Sequence, residues 1–161
     1  MLIIEPLGFG YEVAGLPAPL AGIPFPTTAF ASSLHPRFAW IACLSSANPE
    51  QRYQAGGLNW LCKTAINPTL SGDHAALLQS KEIAAAINTQ ISGGKGVAIH
   101  CDMGIERTGT VLGTVLALRG YSAKLVAREI AAIINEQQPG WTGRDFPDAL
   151  TKAISFCTSH S

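Results

Sequence analysis

The chain is 161 residues long with a mass of 16.9 kDa, the size of one ordinary domain with a single core. With 47% hydrophobic and only 14% charged residues, and eleven basic side chains balancing eleven acidic ones, it has no global field to recruit nucleic acid or an anionic membrane surface. Its four cysteines, Cys43, Cys62, Cys101 and Cys157, are widely spaced and form no C-x-x-C pair, so neither a zinc knuckle nor a thioredoxin-type motif is suggested.

The opening MLIIEPLGFG lacks a basic region, and its apolar run is too short for a secretory signal. The longest later apolar stretch, Thr108 to Leu118, is too short to span a bilayer, so the expectation is a cytoplasmic protein with reduced thiols. Residues 1–37 are rich in Pro and Gly and include GLPAPLAGIPFP; their prolines interrupt any long helix or central strand, and the segment is expected to wrap the domain in extended and turn conformations. FAWIACL, 38–44, reads as a buried strand. A short helix is expected next, capped by Asn48, with Pro49 at its first position, Glu50 at its positive end and Gly56 and Gly57 stopping it. LNWLC, 58–62, is a second strand candidate, and 63–73 a loop.

From His74 to Ile91, isoleucines 83, 87 and 91 recur at four-residue steps among alanines, which predicts a helix with one narrow packed face. VAIH, 97–100, is a short buried strand, and Thr108 to Arg119 a helix closed by Gly120. Ser122 can cap a further helix to about Gln137, with Leu125, Val126, Ile130, Ile133 and Ile134 inward, and Pro147 begins a last one. Strands separated by helices predict an α/β fold: a central, mostly parallel sheet flanked by helices, with catalytic groups at the carboxyl ends of the strands, in a single domain over 1–161.

IHCDMGIERTG, 99–109, holds the chemistry. A strand ending at His100, a tight loop through Cys101, Asp102, Met103, Gly104, Ile105 and Glu106, and a helix starting near Arg107 aim several backbone N–H groups into one hollow, which suits a tetrahedral oxyanion. The same groups favour a thiolate at Cys101, and a thiolate in a phosphate-sized cradle is a phosphoryl acceptor. Arg107 supplies a rigid fork for two phosphate oxygens, and Thr108 a hydroxyl for the sulfur as it leaves a phosphocysteine. Gly104 removes a side chain where the backbone must approach the ligand.

HCDMGIERT, 100–108, resembles the H-C-x-x-G-x-x-R-[ST] signature of the cysteine-dependent protein tyrosine and dual-specificity phosphatases. FAWIACL and GLNWLCKTAIN extend the resemblance over roughly residues 38 to 137. It implies a phosphatase-like fold, Cys101 as nucleophile, Arg107 as phosphate clamp, Thr108 as helper in the second step, and His100 as a brace of the loop rather than a base. It implies no metal or organic cofactor, and a phosphorylated protein or small aryl phosphate as partner.

That family also uses an aspartate to protonate the leaving group. Asn67 stands where that acid is often found, and an amide cannot donate in its place. The nearest loop carboxylate is Asp73, which either swings over the pocket as the acid or caps the helix that follows. Asp102 and Glu106 read as solvating and tuning groups that disfavour polyphosphorylated inositols by like-charge repulsion. Trp141 and Arg144 are candidate lips of the pocket, with packing as the simpler reading of Trp141, as of Trp40 and Trp60. The leading function is phosphomonoester hydrolysis, most simply of protein phosphotyrosine or by dual specificity; the alternative is a catalytically weak phosphate-binding module.

Overall fold

Among the described residues, six strands, β1 (Ile3–Leu7), β2 (Gly10–Ala14), β3 (Leu20–Ile23), β4 (Phe38–Cys43), β5 (Asn59–Lys63) and β6 (Gly96–His100), form one sheet in the order β1-β2-β3-β6-β4-β5. The computed structural model describes residues 2–8, 10–46, 57–102, 105–140 and 142–159. Its described helices are α1 (Thr28–Leu34), α2 (His74–Ser92), α3 (Glu106–Leu118), α4 (Ala123–Gln137) and α5 (Phe146–Ser159). The short helix expected after Asn48, with Pro49, Glu50 and Gly56, lies outside the described residues. The other predicted elements fall within about two residues of their places, the usual scatter of element ends.

β3, β6, β4 and β5 pair in parallel, while β1 and β2 add to the β3 edge in antiparallel fashion, so the sheet is mixed. This corrects the reading of residues 1–37 as a wrapping of extended and turn segments, because that stretch supplies half the strands and α1. The prolines permit it by position. Pro6 lies in the edge strand β1, where a missing N–H breaks no inner ladder. Pro17 and Pro19 fall between β2 and β3, and Pro24 and Pro26 between β3 and α1. The Pro19 carbonyl accepts from the Val97 N–H at 2.9 Å, extending the β3–β6 ladder by one bond.

Alternation along β6 sorts its side chains between two cores. Val97, Ile99 and Cys101 join the larger cluster, formed with α2, α3, α4 and α5. Ala98 joins the smaller one, with Ala31 and Leu34 of α1. The larger core is built on α3, whose residues Thr108 to Leu116 are all buried, the pattern of a helix covered on every side. Two of its threonines bond back within the helix: Thr110 donates to the Glu106 carbonyl at 3.0 Å and Thr114 to the Thr110 carbonyl at 2.7 Å.

Gly10 begins β2 where it runs against β3. A methyl there would collide with the Gly22 carbonyl oxygen and stand 3.0 Å from the Ile23 Cα, both backbone atoms of a paired strand. The Gly10 carbonyl also accepts from Gln137 Nε2 at 2.6 Å, tying α4 to this corner. Gly10→Ala should therefore lower stability by about 1–3 kcal/mol, the usual cost of overpacking, read as a lower urea midpoint. An unchanged midpoint would show that the corner yields freely.

Candidate active site

Cys101 follows β6 directly, and strand alternation turns its side chain to the helix-covered face, where it is 3% exposed. α3 begins at Glu106, behind Ile105, whose apolar side chain offers no cap. The N-cap position of α3 thus supplies no side-chain acceptor to the first-turn N–H groups at the helix's positive end. Thr108, one turn along, donates from Oγ1 to Cys101 Sγ at 3.1 Å. Met103 and Gly104 lie outside the described residues.

Arg107 ties three strand ends together. Its Nη1 donates to the carbonyls of Leu44, just after β4, at 3.3 Å and of Ile66, in the loop after β5, at 3.1 Å. Its Nη2 donates to Asp102 Oδ2 at 2.9 Å. The other carboxylate oxygen of Asp102 accepts from Ser45 Oγ at 2.6 Å, and these two bonds, the serine's first and the arginine's second, hold the Asp102 carboxyl below its usual range. Ser45 carries no signal in the sequence beyond membership of a Ser-Ser-Ala-Asn-Pro turn; only its contact with Asp102 marks it.

His100 points to the opposite face from Cys101 and is fully buried. Its Nδ1 lies 3.0 Å from the Cys101 carbonyl, which can only accept, so that nitrogen holds the proton. The Phe25 ring meets the imidazole edge-on at 5.3 Å, and the Phe25 N–H donates to the Asp102 carbonyl at 3.2 Å. The start of the loop is thus fastened from beneath on either side of Cys101.

The loop between β5 and α2 forms the other wall. Glu106 Oε1 accepts from the Leu70 N–H at 2.7 Å, and the Thr69 and Thr110 hydroxyls lie 2.8 Å apart. Asp73 stands at the N-cap of α2, accepting from Ala76 N at 3.0 Å through one oxygen and from Asn67 Nδ2 at 3.0 Å through the other. The backbone bond first and the Asn67 bond second lower its carboxyl below the ordinary value. The two residues at issue for proton donation are therefore bonded to each other.

A pocket of about 390 Å³ opens over Cys101. Asp102, Ile105, Glu106 and Arg107 line it on the loop side, with Pro68, Leu70 and Phe146 as an apolar rim. Asp73 and Arg144 do not line it, Thr142 and Gly143 stand near the place predicted for a lip, and Trp141 lies outside the described residues. Leu70 and Phe146 lacked any sequence signal for this role. Among the described residues no cluster of His, Cys, Asp or Glu is placed to hold a metal ion, and no described helix is long and apolar enough to cross a membrane.

Burial lowers His100 to about 4 from an ordinary 6.5, so the folded chain resists the proton that the unfolded chain accepts. Stability held above pH 6.5 should thus be lost progressively as pH falls toward about 4. His100→Gln should flatten that dependence by something of order 3 kcal/mol, from the width of the window at 1.36 kcal/mol per pH unit, read from urea midpoints across the range. A variant whose stability falls as steeply as the wild type would exclude His100 as the group that titrates.

Residues 53–121 match the family model described as Tc-R-P: Polymorphic toxin system, DSP-PTPase phosphatase. No curated protein matches the chain in sequence. Among solved structures, Tk-PTP in its active form is similar at a TM-score of 0.58 and 22% identity, over 87% of this chain and 91% of that one. P. aeruginosa TpbA is similar at 0.64 and 13% identity, over 98% and 90%. The core catalytic domain of the PP-IP phosphatase SIW14 from S. cerevisiae is similar at 0.61 and 18% identity, over 95% and 87%. The chain thus has the fold of the protein tyrosine and dual-specificity phosphatases, and the part of it that holds the Cys101–Thr108 signature is similar to a DSP-PTPase family model.

Proposed function

We propose that the chain hydrolyses phosphate monoesters through a phosphocysteine on Cys101, with a phosphotyrosine side chain or another aryl phosphate as its preferred substrate. The observation that carries this reading is the buried Cys101 sulfur, bonded by Thr108 at 3.1 Å, beside Arg107 and the uncapped start of α3. The thiolate attacks phosphorus, an S–P bond forms, and the bond to the leaving oxygen breaks. Backbone N–H groups at the start of α3 and the Arg107 fork hold the phosphoryl oxygens. Water then attacks phosphorus, the S–P bond breaks, and Thr108 donates to the departing thiolate.

The rim of Pro68, Leu70 and Phe146 favours a flat apolar group above the cradle. Asp102 and Glu106 put negative charge in the lining. A related structure is that of PTPMT1 in complex with PI(5)P, and SIW14 is a PP-IP phosphatase. Like-charge repulsion from Asp102 and Glu106 argues for a singly phosphorylated side chain rather than such polyanions. The chemistry suits a reducing cytoplasm, where Cys101 and the other three free cysteines stay thiols.

Turnover of an aryl phosphate should persist in EDTA, stop with vanadate and vanish in Cys101→Ser, which keeps phosphate binding because a hydroxyl fills the site but ionises far less readily. Near-normal turnover by the serine variant would remove the phosphocysteine.

A second reading, a phosphate-binding module with weak turnover, is favoured by Asn67 and by the commitment of Asp73 to its cap. A carboxylate held ionised by two hydrogen bonds is a poor proton donor near neutral pH, so Asp73 acts as the acid only if the loop lifts it from α2. Asp73→Asn preserves the cap, since asparagine caps about as well, and isolates the chemistry. As the acid, its loss should lower kcat by ~10²-fold or more and abolish the basic limb of the pH–rate profile. An unchanged kcat and profile would refute Asp73 as the acid while leaving Cys101 and Arg107 in place.

A further inference from the structure

Tyr11 is 1% exposed, and its hydroxyl has no hydrogen-bond partner among the described residues. Burying a hydroxyl unpaired is destabilising, and phenylalanine would fill the same space without that cost. The position of the hydroxyl supplies a reason for it. Tyr11 of β2 pairs with Gly22 of β3, and Gly22 pairs with Ile99 of β6, two residues before Cys101. All are on the face covered by α3, and the ring crosses the gap left by the missing Gly22 side chain. A Cβ on Gly22 would lie 2.7 Å from the ring's Cζ, 2.8 Å from the hydroxyl oxygen and 3.1 Å from the Thr108 methyl. The tyrosine hydroxyl therefore ends beside the residue that already donates to Cys101 Sγ.

We propose that the Tyr11 hydroxyl is a second buried donor for the Cys101 sulfur, engaged when that sulfur carries negative charge. This rests on Cys101 being the nucleophile. A buried thiolate needs more than one donor, because burial penalises the charged form far more than the thiol. Burial, and then the nearby charge of Cys101, raise the phenol's ionisation well above its ordinary value, so Tyr11 keeps its proton and remains a donor. The other ionisable groups about the sulfur are His100, Asp102, Arg107 and, from β4, Cys43. His100 bonds the Cys101 carbonyl, Asp102 and Arg107 bond each other, and the Cys43 thiol donates to the Ser45 carbonyl at 3.6 Å. Tyr11 acts through the sulfur and is a positioning residue, without contact to substrate.

The test is the pH profile of Cys101 alkylation by iodoacetamide, followed by mass at that residue in the full chain. Tyr11→Phe should move the midpoint upward by about one pH unit, equivalent to about tenfold less thiolate at a fixed pH below it, with the melting temperature unchanged or raised. Incorporating 3-fluorotyrosine at position 11, a more acidic and stronger donor of the same shape, should move the midpoint downward; it tests the proposal even where the phenylalanine variant folds poorly. An alkylation profile that neither change moves would overturn it. Alkylation reads the thiol and not the phosphate, so the predicted shifts in a chain that turns over no phosphomonoester would uphold Tyr11 and reject the proposed reaction. A phosphatase with unmoved profiles would do the reverse.

Discussion

The Arg107 guanidinium is the point on which the site hangs. A side chain only 18% exposed cannot keep a full charge without partners, and each partner comes from a different strand end. The Leu44 carbonyl belongs to the exit of β4, the Ile66 carbonyl to the loop leaving β5, and the Asp102 carboxylate to the loop leaving β6. Three parallel strands thus end around one cation. The parallel arrangement makes this possible, because it sends the carboxyl ends of adjacent strands to the same edge of the sheet.

Asp102 has a double character in that arrangement. It satisfies Arg107 and is itself steadied by Ser45, yet under the proposed reaction it occupies a donor that an incoming phosphate would also seek. Glu106 is similarly divided between the pocket lining and the Leu70 N–H. Acidic side chains in the pocket lining are therefore part of its construction, and in the proposed function the same atoms would also filter what enters.

Much of this was legible in the residues alone. Short apolar runs at 38–44 and 97–100 became parallel neighbours, and the isoleucine spacing in 83–91 and the glycine stops became α2 and its end. Cys101, Arg107 and Thr108 were readable because one local motif sets their spacing. The N-terminal strands were not, since proline normally argues against a sheet and only the pairing partners reveal that Pro6 sits on an outer edge. Ser45, Leu70, Phe146 and Tyr11 were equally hidden: each is brought in by tertiary contact from a distant part of the chain, and none lies in a motif. Asp73 shows a third kind of limit. A cap and an acid require the same residue before the same helix, and the sequence holds no information on which bond the carboxylate makes.

Alternation along β6 places two adjacent residues in two different media. His100 faces Phe25 and a dry aromatic setting, while Cys101 faces the start of α3 and the pocket. Because strand side chains repeat every second position, deleting a single residue within Gly96–His100 while keeping the pairing would exchange the two, sending the imidazole toward the cradle and the thiol beneath the sheet. The segment is thus far less tolerant of a change in length than of a change in apolar side chain: exchanging valine for isoleucine at 97 alters volume, whereas losing one residue alters which polar group faces the pocket.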